Sequence, residues 1–390
     1  MNRMNIRQSA TCAITLVIGL SAHLATAETT DARLQALTQE VDKQANQLMT
    51  DYAIPGMAIA ISMDGQQHFY QYGLADVAAG KEVTRDTLFE LGSISKTFTA
   101  TLGSYVQHQG AFKLDDTAAS FVSAWQSTPI GNATLLELAT YSAGGLPLQF
   151  PNNVRTHDEM LAYYKAWQPA FAPGSHRMYS NPSIGLYGYL AALSAKADFT
   201  TLMEKTILPQ LKLDNTFIKV PEAKLGQYSF GYNAKGKAIR LSTGMFDAEA
   251  YGIKSSASNM LKYLEANMGL TPLSPEISAA IEETHKGRYQ TTHFTQALGW
   301  EIYPYPTTLD TLLAGNSKDV ITKPNPVTPA TGANSQDEVF INKTGSTGGF
   351  GAYVAYVPSR RLAIVMLANK NYPIPARVEA AYRILGAAQQ

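Results

Sequence analysis

Three short stretches carry side chains that could act together on a substrate: Ser93-Ile94-Ser95-Lys96, Tyr179-Ser180-Asn181 and Lys343-Thr344-Gly345. A serine hydroxyl is a poor nucleophile until a base takes its proton, and a lysine amine serves as that base only when its pKa is depressed. A second cation nearby supplies the depression and draws down a tyrosine phenol as well. Ser93, Lys96, Tyr179 and Lys343 therefore form a self-consistent set, two ammonium groups and a phenol sharing proton duty around one nucleophile. Ser93 stands where a helical run begins, and Lys96, three residues on, lies on the same face within reach of its hydroxyl. Tyr179 and Asn181, two apart in an extended stretch, project to one side. Gly345 lets a substrate lie close beside the strand that carries Lys343. Taken singly, each motif has a plainer reading. Ser-x-x-Lys also fits a helix-capping serine with a solvated lysine, Tyr-x-Asn a helix cap, and a lysine on an apolar strand an edge-strand gatekeeper.

The pattern around these motifs says what positions them. Asp31 to Tyr52 has helical spacing (Leu34, Leu37, Val41, Ala45, Leu48) and stops at Ile54-Pro55-Gly56. Met57 to Ser62 and Gln67 to Tyr72 read as strands, and the Asp64-Gly65 between them is a strong hairpin signal. Near the other end, Val339 to Lys343, Tyr353 to Val357 and Leu362 to Leu367 read as strands, with turns at Gly348-Gly349 and Pro358-Ser359-Arg360. Pro375 to Leu385 reads as a closing helix with proline in its first turn. Between these strand-rich ends, Phe98 to Leu213 is helical in pattern with Gly and Pro breaks. The expected fold is an α/β (α+β type) one: an antiparallel sheet built from both chain ends, flanked by helices, with a helical region inserted. The expected division is 28–107 with 225–390 as the α/β domain and 108–224 as the helical domain. Gly269 to Ser274 and Asn316 to Asn334 are expected to be surface loops.

Composition excludes several classes. Arg3 and Arg7, an apolar Cys12 to Leu24 and then Ala25-Thr26-Ala27 outline a secretory signal peptide, residues 1–27, cleaved after Ala27. The mature chain would be exported, to the periplasm of a bacterium, without stable membrane association. It would carry 29 basic residues, the 31 of the whole chain less those two arginines, against 31 acidic ones. A nearly neutral chain with no basic stripe argues against nucleic acid as partner. The single cysteine, Cys12, leaves with the signal, so no disulfide, thiolate nucleophile or cysteine ligand remains. The seven histidines show no metal-ligand spacing, and no cofactor or metal is expected. Gly345 to Gly351 is glycine-rich but opens a strand, unlike a nucleotide fingerprint. A monomer is the expected state.

Ser-x-x-Lys, Tyr-x-Asn and Lys-Thr-Gly in this order resemble the penicillin-recognising serine enzymes. Tyr-Ser-Asn as the middle motif is similar to class C (AmpC-like) β-lactamases, as are Leu138-Ala139-Thr140-Tyr141-Ser142-Ala143-Gly144-Gly145-Leu146-Pro147-Leu148-Gln149, Asp247-Ala248-Glu249-Ala250-Tyr251-Gly252 and Leu367-Ala368-Asn369-Lys370-Asn371-Tyr372-Pro373. The likeness covers essentially the whole mature chain. It implies hydrolysis of β-lactam antibiotics, cephalosporins preferred, through an acyl-enzyme on Ser93. Lys96 would help deprotonate Ser93. Tyr179 would relay protons to the leaving nitrogen and activate the deacylating water, and either base could take the first proton. Asn181 resembles the amide that holds Lys96 and the substrate, Lys343 would tune Tyr179, and Thr344 would help receive the substrate carboxylate. Backbone N–H groups of Ser93 and Ser346 would form the oxyanion hole. Gln149, Tyr251, Asn316 and Gly345 match pocket positions of the family, and Arg377 matches an arginine near the substrate carboxylate, though a helix-surface charge fits it equally. Ile374 departs from the asparagine of many relatives and is expected to alter inhibitor and substrate preference. The alternatives are a D-alanyl-D-alanine carboxypeptidase or transpeptidase, a β-lactamase-like esterase, and a non-catalytic penicillin-binding sensor. Lys343 and a clean Lys-Thr-Gly favour the lactamase.

Overall fold

The computed structural model describes Met1 and residues 13–330 and 338–389, with side chains placed from residue 32 onward. The basic start of the expected signal, Arg3 and Arg7 included, lies outside the described residues. Among the described residues no helix is long and apolar enough to cross a membrane.

The sheet is antiparallel and its middle is made by the two ends of the chain. Strands β1 (Gly56–Met63) and β2 (Gln66–Asp76) form the hairpin expected from Asp64-Gly65. Met63 pairs with Gln66, so the turn has two residues, and both take positive φ, 54° at Asp64 and 83° at Gly65. That is the backbone Asp-Gly tolerates and that matches strand twist. Late in the chain come β3 (Glu301–Pro304), β4 (Val339–Ser346), β5 (Gly351–Val357) and β6 (Leu362–Ala368). The order across the sheet is β3-β4-β5-β6-β1-β2, with two-residue strands added at each margin. First and last strands meet at the centre, Met57 opposite Ala368 through Met63 opposite Leu362.

Helices cover both faces, which is why β1, β5 and β6 read as unbroken apolar runs and are buried at every residue. Side chains still alternate. Met57, Ile59, Ile61, Ile364 and Met366 face one core with helices α1 (Ala13–Tyr52) and α6 (Ile374–Ala387), whose Leu37, Val41, Val378 and Ile384 complete it. Ala58, Ala60, Val354, Val365 and Leu367 face the other, toward α4 (Ala257–Asn267) with Met260, Leu261 and Leu264. Each fully buried Leu, Ile or Met contributes about 1.5–3 kcal/mol relative to exposure, so the frame is stiff.

Helix α2 (Ser95–His108) runs through the second core, between α3 (Asn181–Ser194) and α5 (Pro275–Thr284). It is buried along nearly its whole length, so its hydroxyls must find partners inside. Thr97 donates to Ile94 O at 2.9 Å and Thr101 to Thr97 O at 3.0 Å. Phe98 stacks on Tyr263 with ring centroids 4.0 Å apart.

Two expectations change. The helix expected from Asp31 begins at Ala13, because an Ala- and Leu-rich run with no proline and only Gly19 offers no stop signal. The loop expected over 316–334 contains a short helix, Lys318–Thr322, and two bridging strands, Asn325–Pro326 and Thr328–Pro329. Its polar, proline-bearing sequence conceals elements too short to show periodicity, and residues 331–337 lie outside the described residues.

Candidate active site

Ser93 sits in a single 3₁₀ turn, Gly92–Ile94, that leads directly into α2. The turn is pressed against the end of β4. Gly92 has φ +54°, and a Cβ there would lie 2.4 Å from Ser346 N; one on Gly345 would lie 1.9 Å from Leu91 O. Only glycine at both places lets the two backbones come so close. The amides of Ser93 and Ser346 are thereby neighbours at one end of a cleft of about 650 Å³.

Lys96 Nζ donates to Ser93 Oγ at 2.9 Å and to Ala250 O at 2.7 Å. The lysine is fully buried, and burial first, then the nearby Lys343 ammonium, lowers its pKa to about 8 against the opposing pull of Tyr179. Tyr179 arrives from the other wall. Ser180 is an extended N-cap whose side chain accepts from Ser183 N, so α3 starts at Asn181 and Tyr179 is held just outside it. Its ring lies 5.1 Å from Lys96 Nζ, 5.2 Å from Lys343 Nζ and 5.2 Å from the Arg177 guanidinium carbon. Burial alone would raise the phenol, but Lys343 and Lys96 together hold it down at about 8. Its hydroxyl is buried and turned toward Ser93 and Lys96.

Lys343 is on β4, fully enclosed, with its Nζ 3.3 Å from Glu301 Oε1. Burial would lower its pKa, but the Glu301 carboxylate and then Tyr179 raise it, so this lysine stays charged. Glu301 also takes Arg177 at 3.5 Å. The gatekeeper reading fails because the lysine points into the protein and not to solvent. Strand β3 pairs with β4 only as far as Asn342, so Lys343 to Ser346 have β5 on one side and the cleft on the other. Three buried cations facing one buried carboxylate make the cleft positive. That arrangement favours phenolate over phenol and attracts an anionic substrate.

The site has the parts of acyl transfer: a hydroxyl bonded to a low-pKa amine, a low-pKa phenol, and two adjacent amides for an oxyanion. The β-lactamase family pattern matches residues 41–389. The chain belongs to the β-lactamase family. It is 50% identical to a β-lactamase of Psychrobacter immobilis over 366 residues, covering 92% of this chain and 90% of that protein. A solved β-lactamase/D-alanine carboxypeptidase from Pseudomonas syringae superposes with a TM-score of 0.88 at 42% identity, over 90% of this chain and 99% of that one. A class C β-lactamase from Rhodobacter sphaeroides does so at 0.87 and 40%, with the same coverage. The antiparallel sheet flanked by helices is therefore the β-lactamase/transpeptidase-like fold.

Within this family fold, the other residues singled out by sequence take up distinct places. Gln149, Tyr251, Asn316, Thr344, Gly345, Ser346 and Ile374 all line the cleft with Ser93, Tyr179, Asn181 and Lys343. Asn316 is fixed, its amide donating to Leu312 O at 2.9 Å and Tyr303 Oη at 3.3 Å. Asn181 does not hold Lys96, whose second bond goes to the main chain of Ala250 instead. The Asn181 Oδ1 is buried and unpartnered among the described residues. Arg377 is neither a surface charge nor a wall of the cleft. Its guanidinium is buried behind β4 and donates to Gly345 O at 2.6 Å, Ser346 Oγ at 3.0 Å and Asn371 Oδ1 at 2.6 Å. The physical reason is its place on the inner face of α6, where the apolar spacing Val378, Ala381, Ile384 already packs on the sheet. Burial lowers its pKa to about 10.

Three residues of the site escaped sequence reasoning. Arg177 and Glu301 form the ion pair behind Tyr179 and Lys343; Arg177 precedes Tyr179 by two, the period of an extended stretch, which was a usable signal. Glu90, buried beneath the rim, accepts from Tyr228 Oη, Leu241 N and Thr347 Oγ1, each at 2.6 Å. Leu241 and Thr347 stand on the cleft wall, so one carboxylate ties two of its lips together.

Proposed function

We propose that the chain is a serine β-lactamase of the class C kind, exported to the periplasm after cleavage behind Ala27 and acting there as a monomer on small β-lactams. The observation that carries the reading is Ser93 hydrogen-bonded to a lysine whose pKa is lowered to about 8, beneath a phenol held at the same value. Ser93 Oγ attacks the lactam carbonyl carbon as its proton passes to Lys96 or Tyr179. The developing oxyanion is stabilised by the Ser93 and Ser346 amides, each such donor contributing roughly 3–4 kcal/mol to the transition state. The C–N bond breaks and the nitrogen takes a proton from Tyr179. The same phenolate then deprotonates a water that attacks the ester and frees Ser93. Asn181, Gln149, Tyr251 and Asn316 orient the substrate side chain, while Thr344, Ser346 and the positive field of Lys343 receive its carboxylate. Arg377 holds the main chain of Gly345 and the Ser346 hydroxyl in place from behind. Cephalosporins are the preferred class, and Ile374 on the cleft wall sets preference among carboxylate-bearing inhibitors.

The test is hydrolysis of nitrocefin and cephalothin by the mature chain, with intact-mass detection of the acyl-enzyme. Steady turnover that vanishes in Ser93→Ala, with an unchanged melting curve, is expected. A stable adduct on Ser93 without turnover would replace this reading with D-alanine carboxypeptidase activity, an activity named for the Pseudomonas syringae neighbour, or with a penicillin-binding sensor.

A further inference from the structure

A second pocket of about 370 Å³ shares no residue with the catalytic cleft. It lies between α3, which gives Tyr189 and Leu193, and the segment Ala197–Thr200, which gives Asp198 and Phe199. Glu249 reaches into it. That side chain is only 8% exposed, yet among the described residues it has no ion-pair partner and no hydrogen bond from another side chain; its carboxylate meets only its own main-chain amide. Its course is enforced by Gly188 on α3, where a Cβ would stand 3.0 Å from Glu249 Cγ and 3.2 Å from the Phe199 ring. The Thr99 hydroxyl fixes the main chain by donating to Glu249 O at 2.5 Å.

A buried carboxylate is stable only when neutral or paired. Among the described residues nothing pairs Glu249. Asp247 on its own turn and Asp198 across the pocket are acids, and Tyr164, Tyr189 and Tyr251 are phenols. Lys219 bears on Asp198 instead. The pocket thus offers two acids, two aromatic rings and an exposed leucine rim, and no basic residue lines it among the described residues. Aromatic faces beside a buried anion are the surroundings that favour an organic cation over a hydrated metal ion.

We propose that this pocket binds a small organic ammonium ion, its charged head on the Glu249 carboxylate and its carbon groups against Tyr189, Phe199 and Leu193. Entry of the cation replaces the proton that burial otherwise keeps on this side chain, whose pKa desolvation, with the neighbouring Asp247 and Asp198, pushes up to about 8.

Calorimetric titration of the full chain with tetraethylammonium chloride, which does not itself titrate, tests this. Saturable one-site binding is expected, tightening roughly thirtyfold from pH 6.5 to pH 9 as the carboxylate becomes populated. Glu249→Gln, isosteric and folded by its melting curve, should lose both the binding and its pH dependence. Leu193→Trp, a substitution at the exposed rim that leaves Glu249 untouched, should block entry. Absence of saturable heat, equal affinity in Glu249→Gln, or binding indifferent to Leu193→Trp would overturn the proposal.

Discussion

Adding one methyl group at Gly345 should disable the enzyme without unfolding it. A Cβ there would lie 1.9 Å from Leu91 O. A carbon and an oxygen that are not bonded stay beyond about 3 Å, so β4 and the Ser93 turn must separate by about 1 Å. Neither side can yield by rotating a side chain, because both contacts are main chain, and Arg377 grips Gly345 O from behind. The displacement falls on the gap between the Ser93 and Ser346 amides. A misplacement of about 1 Å costs about 10²-fold in rate, and one lost oxyanion donor costs 10²–10³. Gly345→Ala should therefore lower the acylation rate for nitrocefin by at least about 10²-fold, near 3 kcal/mol, with a melting temperature still cooperative. Gly226→Ala, which like Gly345 has no positive φ but meets nothing within 4 Å, is the control for the glycine-to-alanine change alone and should retain turnover. Acylation within threefold of the parent in Gly345→Ala would refute the close-approach argument.

Other perturbations probe the charges. Lys343 lowers both Lys96 and Tyr179, so in Lys343→Met both bases need a higher pH to lose their proton. The acid limb of kcat/KM, expected near pH 8 in the parent, should move upward, and an unmoved limb would contradict the tuning role. Glu90→Ala leaves three donors, two of them on the cleft lips, without an acceptor and should raise KM for cephalothin about tenfold. Glu90→Gln, whose amide can still meet Thr347 with the donor reversed, should restore it; equal defects in both would contradict the clamp. His285, buried against Tyr356 Oη at 2.6 Å, has its pKa lowered by burial to about 3. The unfolded imidazole takes a proton near pH 6.5 that the folded one refuses, so stability present above pH 6.5 is lost as pH falls toward 3. Between pH 6.5 and 4.5 that amounts to about 2–3 kcal/mol, and denaturant titrations of His285→Gln should show a flatter acid side.

What the sequence disclosed is what local pattern encodes. The Asp64-Gly65 turn, the apolar runs of β1, β5 and β6, and the helix cap that Tyr179-Ser180-Asn181 fits are each specified by neighbours in the chain, and the structure places them within a residue or two of expectation. Ser93, Lys96, Tyr179 and Lys343 were found because their chemistry demands one another. Arg177 with Glu301, 124 residues apart, and Glu90 with Leu241, 151 apart, have no such signature. A lone charged residue in a sequence reads as surface, and only tertiary packing reveals that it is enclosed and paired. Arg377 shows the same limit in reverse. Its identity drew attention, but its direction was set by which face of α6 lies on the sheet.

The seam where Met57 lies opposite Ala368 fixes when in the life of the molecule chemistry can begin. Synthesis runs from the N-terminus, so the nucleophile is made long before the strand that completes its surroundings. The hairpin β1–β2 can form early, but its open edge stays without a partner until Leu362–Ala368 arrive, a high sequence separation that slows folding. Lys343 and the Ser346 amide reach Ser93 only when that seam closes. A chain made only as far as β3 therefore lacks Lys343 and the Ser346 amide, and Ser93 gains its full surroundings only once the β1–β6 seam has closed.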